Sequence, residues 1–198
     1  MKDLIGGLPD MLIFFILYGF LTFGIYITFK LLNLLISKNL INNNSVLWFI
    51  CLMFNALNFY IIYDLMTVSP QRISGNGNPH IPYIFVSLLL FLSFCFVISM
   101  KIYDILLKKN RLINFLIVST ALFLCYLSMM FQSDFVSMIR GRLYYPMGSW
   151  LNWWQDIHLN YLYFNPYTFL FGNSISCLIA GILAFIKQGK YRAKQPEQ

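Results

Sequence analysis

The sequence predicts an all-α integral membrane protein, a bundle of about five transmembrane helices with a short amphipathic helix lying in the interface of the last outer loop. Three observations lead there. Apolar residues make up 59% of the 198 residues, against roughly 45–50% in an average globular chain. Charged residues are only 11%, where roughly 25% is usual. Five long runs carry no charge at all. A soluble domain could not cover its surface with so few charges, so lipid is the solvent the outside suits.

The spans are expected at about 11–29, 45–63, 81–100, 112–131 and 167–186. The first, Met11 to Phe29, lies between Asp10 and Lys30, and the second runs from Ser45 to Tyr63 and stops before Asp64. The third, Ile81 to Met100, stops before Lys101, and the fourth, Leu112 to Phe131, follows Arg111. The fifth, Tyr167 to Ile186, stops before Lys187. Each has close to the roughly 20 residues that cross a bilayer. Together they form one transmembrane domain over residues 1–187, with a basic tail over 188–198. Lys2 is followed at once by Asp3, and no small-residue cleavage site follows the first run, so a signal peptide is not expected.

The net charge of +7 raises nucleic acid as a partner. The placement of the charges speaks against it, because the basic residues sit between and after the apolar runs. Lys30, Lys38, Lys101, Lys108, Lys109, Arg111, Lys187, Lys190, Arg192 and Lys194 fall on one side. Lys2, Arg72, Arg140 and Arg142 fall on the other. With Asp104 and Glu197 the first side carries +8; with Asp3, Asp10, Asp64, Asp134 and Asp156 the second carries −1. The richer side is expected in the cytoplasm, giving an outer N-terminus and a cytoplasmic C-terminus, and a bacterial inner membrane suits the arrangement. The Lys108, Lys109, Arg111 turn and the Lys187 to Lys194 tail suit anionic headgroups, though topology alone already accounts for them.

Within the spans, polar and small residues mark helix contacts. Asn55 and Asn58 are three apart and share a face of the second span. An amide facing lipid is costly, so both are expected to point inward, as internal glue or as the lining of a path. In the fifth span Gly172, Ser176, Ala180 and Ala184 recur every four residues, with Asn173, Cys177 and Gly181 beside them. Such a stripe allows close helix approach, against this protein's own helices or another subunit. No Asp, Glu, Lys, Arg or His lies inside a run, which argues against a pump or ion-coupled transporter. Cys51, Cys95, Cys125 and Cys177 each fall in an apolar run with no C-x-x-C pair, and read as small apolar fillers.

The outer loops are more varied. Asp64 to His80 is rich in Gly, Asn and Pro and reads as tight turns. Its Gly75-Asn76-Gly77 lacks the G-K-[ST] of a phosphate loop. In the loop from Gln132 to Pro166, Trp150, Trp153, Trp154, Ile157 and Tyr161 follow helical spacing, while Asn152, Gln155, Asp156 and Asn160 fall largely opposite. This is the expected interfacial helix, with Tyr144, Tyr145 and Tyr163 extending an aromatic belt. It serves as an anchor or as a binding patch, to which Arg140 and Arg142 could add a phosphate contact.

Candidate catalytic groups on that side are Asp64, His80, Asp134, Arg140, Arg142, Asp156 and His158. Asp156 and His158 are two apart, so a helix would turn them away from each other, and no metal-ligand spacing occurs. No catalytic residue, metal or cofactor is assigned. The leading expectation is a non-enzymatic protein that binds a protein or lipid partner in the membrane or at its outer face. Accessory subunits and immunity or exclusion proteins share this layout, a likeness that carries little about function. An enzyme acting on a lipid-linked substrate at the outer leaflet, or an oligomeric pore, is the alternative.

Overall fold

The computed structural model describes residues 10–36, 45–71, 78–143 and 159–192. Five helices account for most of them: α1 (Asp10–Ile36), α2 (Ser45–Leu65), α3 (Ile81–Leu107), α4 (Arg111–Arg140) and α5 (Pro166–Arg192). A single 3-10 turn, Asn160–Leu162, precedes α5. No strand occurs among the described residues. All five helices are long and apolar enough to cross a membrane, and the chain is a multi-pass membrane protein.

The helices outrun the apolar stretches that announce them. α3 continues past Lys101 to Leu107, and α4 continues past Phe131 to Arg140. The first nine residues of the expected loop, Gln132 to Arg140, are therefore helical. Hydropathy marks only the part of a helix inside hydrocarbon, whereas the backbone hydrogen bonds run on through the interface. Long cations at these ends lie along aromatic faces and keep the charge near water. Lys101 sits 4.9 Å from the Trp48 ring centre and Arg111 sits 4.2 Å from that of Phe185.

α3 is the hub. It packs on α1, α2 and α5, while α4 packs mainly on α5. The core is aromatic: the Phe59 ring lies 4.7 Å from Phe91, 4.9 Å from Phe164 and 5.2 Å from Phe169. Exposed residues are equally apolar, among them Phe15, Phe49, Phe85, Leu112 and Phe123. An apolar exterior is what a lipid-facing surface requires.

Amides tie both ends of the bundle. At one end Asn114 on α4 donates to the Leu106 carbonyl (3.2 Å) and to Gln188 Oε1 (3.0 Å). Gln188 Nε2 donates in turn to the carbonyls of Leu106 (3.1 Å) and Lys109 (2.8 Å). The last carbonyls of α3 have no partner within the helix, and these two amides supply it. At the other end Asn165 caps α5, its Oδ1 accepting from the backbone N–H of Tyr167 (2.9 Å) and Thr168 (3.0 Å). Thr168 Oγ1 accepts from the Asn165 N–H at 3.2 Å, which closes a reciprocal cap. Pro166 opens the helix at the position where its missing N–H costs nothing.

Candidate functional site

Where α3 and α5 run side by side they touch along the inner edge and leave the outer edge open. On α3, Ile81, Ile84, Leu88, Leu92, Cys95, Ser99 and Tyr103 face the opening; these recur every three to four residues along most of the helix. On α5 the facing residues include Thr168, Gly172, Ile175, Ile179, Ala180 and Leu183. The result is one continuous groove of about 1030 Å³. Its inner wall is closed by small residues. Ser99 Oγ donates to the Ser176 carbonyl at 3.1 Å, and a Cβ placed on Gly172 would come within 2.6 Å of the Phe91 ring.

The groove has a telling shape. Ile81 and Tyr103 are twenty-two positions apart, about 33 Å at the helical rise, the depth of a hydrocarbon core. A space of 1030 Å³ spread over that length is about 30 Å² in mean cross-section. A hydrocarbon chain, with carbon contacts at about 4 Å, fits a slot of that width, so one or two chains can lie along it. Pockets of this size with apolar walls and a few polar groups are typical of small-molecule sites between helices of bundles.

The two mouths differ. One is bounded by Asn160, Tyr163, Thr168 and Gln132, all uncharged. Their polar atoms mostly serve the fold. Asn160 Nδ2 donates to the Met66 carbonyl, and Asn160 Oδ1 accepts from Asn78 Nδ2 at 2.6 Å. Gln132 Nε2 donates to the Leu162 carbonyl at 2.7 Å. At the other mouth stands Tyr103, with the Lys187 ammonium 5.6 Å from its ring centre.

The residues singled out in the sequence are distributed as follows. Gly172, Ser176 and Ala180 lie along the seam with α3, and Ala184 is fully buried. Asn173 donates to the Phe169 carbonyl within its own helix at 2.8 Å, and Gly181 meets Val118 of α4. Asn55 and Asn58 are buried, away from the groove. Asn58 Oδ1 accepts from Tyr83 Oη on α3 at 2.8 Å, and Asn55 Nδ2 donates to the Cys51 carbonyl at 2.8 Å. Arg140 and Arg142 are exposed at the end of α4. Tyr161 is buried, its ring 5.6 Å from Phe135 and 5.8 Å from Tyr63. The expected interfacial stretch with Trp150, Trp153, Trp154 and Ile157 lies outside the described residues, as do Asp156 and His158.

Asn114, Gln188, Asn165 and Gln132 are structurally central and were not singled out by sequence, and Asn160 was expected on the polar side of the interfacial helix. A usable signal existed for two of them: Asn114 is an amide inside an apolar run, and Asn165-Pro166 is a cap followed by proline. No protein-family model, curated protein or solved structure matches the chain.

Proposed function

We propose that this protein is a non-enzymatic membrane protein that binds an amphiphile, holding its hydrocarbon chain in the groove between α3 and α5. The observation that carries this reading is the groove's dimension: bilayer-deep, apolar, and about one or two chains wide. The small residues of α5 support it, since they draw the two backbones together on the inside while larger residues stand apart on the outside. The lysine and arginine asymmetry supports an outer N-terminus and a cytoplasmic C-terminus in a bacterial inner membrane.

The test is lipid retention. The protein is purified in mild detergent, and bound lipid is identified by native mass spectrometry. Leu92→Trp and Ile175→Trp each push a large ring into the groove from one wall. Both variants are expected to keep the thermal midpoint and to lose most of the retained lipid. Unchanged lipid stoichiometry in both would remove the groove as the binding site. A C-terminal phosphatase fusion that is active outside the cell would reverse the orientation.

A further inference from the structure

The basic mouth of the groove gives its ligand a sign. We infer that the groove takes an anionic phospholipid, with the headgroup phosphate held between Lys187 and Tyr103 and the chain running inward toward Gly172. This rests on the reading of the groove as a chain site.

Lys187 follows Leu183 by four positions, so it continues the face of α5 that lines the groove. Its ammonium already lies over the Tyr103 ring, which places the cation at the point where the apolar wall ends. The other charged residues at this end of α3, α4 and α5 are Lys101, Lys108, Lys109, Arg111, Lys190 and Arg192, with one acid, Asp104. The local field is strongly positive. Basic pockets between transmembrane helices are the usual seats of anionic headgroups. A phosphodiester oxygen there can accept from the Lys187 ammonium and the Tyr103 hydroxyl together. The residues bounding the opposite mouth are uncharged, the Asn160 amide and Gln132 Nε2 are engaged, and the one buried unpartnered atom there, Gln132 Oε1, is an acceptor that a phosphate oxygen cannot bond. Headgroup choice therefore falls to the basic mouth.

The experiment is a competition. The protein is equilibrated in mixed micelles holding equal amounts of phosphatidylglycerol and phosphatidylcholine with identical chains, and bound lipid is counted by native mass spectrometry. The expected result is a preference for phosphatidylglycerol of about fivefold, the scale of one lysine at a membrane surface. Lys187→Gln combined with Tyr103→Phe is expected to bring the ratio near one while phosphatidylcholine is still retained. Lys30→Gln removes the same charge from α1 and is expected to leave the preference intact. Equal binding by the unaltered protein overturns the headgroup assignment and leaves the chain site standing. So does a preference that survives the double variant, or one that Lys30→Gln lowers equally. Retention of neither lipid, or of a second copy of the chain in their place, overturns both.

Discussion

The α1–α2 seam and the α3–α5 seam use the same materials to opposite ends. Between α1 and α2, Phe54 lies against Gly24 and stacks on Phe20 at 4.6 Å, and beside them Tyr18 of α1 meets Tyr83 of α3 edge-on at 5.8 Å. Between α3 and α5 a glycine again faces a phenylalanine, Gly172 against Phe91. There the close approach is confined to the inner edge, and the outer edge stays open as the groove. A glycine–aromatic contact therefore does not by itself make a closed interface.

The strongest way to break the groove half is at its uncharged mouth. Asn160 is 1% exposed and joins the end of α2, through the Met66 carbonyl, to the turn before α3, through Asn78. Asn160→Leu removes the buried hydrogen bonds to the Met66 carbonyl and to Asn78 Nδ2, at about 1–3 kcal/mol each. A fall in the thermal midpoint larger than that of any substitution on the α1–α2 seam is expected in detergent. A midpoint within one degree of the unaltered protein would mean that this end is held by something else.

The glycines give the direct comparison. A Cβ on either would collide with a ring, which in a full core costs about 1–3 kcal/mol. Phe54 sits in the closed aromatic seam, so Gly24→Ala carries that cost. Phe91 is also buried, packed by Phe59 and Phe169, but the overlap there is shallower, 2.6 Å against 1.9 Å at Phe54, and the ring borders the groove, so Gly172→Ala is expected to cost less, about 1 kcal/mol. It should also narrow the groove and reduce retained lipid, which Gly24→Ala should not. Equal destabilisation by the two, measured by thermal unfolding, would erase the distinction between the seams.

The five spans were legible because a charge-free run of that length has few other uses, and because the loop charges punctuate them. The inward turn of Asn55 and Asn58 was legible for the same reason, the cost of an amide in lipid. The groove was not. Leu88 and Leu92 read alike whether they face bulk lipid or a slot, and only the placement of α5 beside α3 separates the cases. The stripe from Gly172 to Ala184 announced a close neighbour without saying that the neighbour is α3. Asn160 was misleading: its register with the tryptophans placed it on the wet side of an interfacial helix. It is buried instead, because two segments far away in sequence supply its partners. Gln132 and Gln188 stand at chain positions that hydropathy assigns to loop and tail, where a polar side chain draws no attention.

The smallest expected effect is at Asn55, one of the two amides that stand out in the second span. Asn55 Oδ1 and Asn58 Nδ2 are buried with no hydrogen-bond partner. Each side chain thus gains one bond and leaves one atom unpaired, and such intramembrane polar contacts average only about 0.6 kcal/mol. For Asn55 the one bond stays within α2, to Cys51. Asn55→Leu removes that bond and the unpaired oxygen together, so a change within about 0.6 kcal/mol of zero, of either sign, is expected. Asn58→Leu strips the Tyr83 hydroxyl of its partner inside the bundle and is expected to cost more, about 1–3 kcal/mol. Adding Tyr83→Phe removes the stranded hydroxyl and should restore most of the loss. Asn58→Leu, Tyr83→Phe and their combination form a cycle in thermal unfolding. If Tyr83→Phe fails to rescue Asn58→Leu, the pair is not what joins α2 to α3 at this depth, and the seam rests on its rings alone.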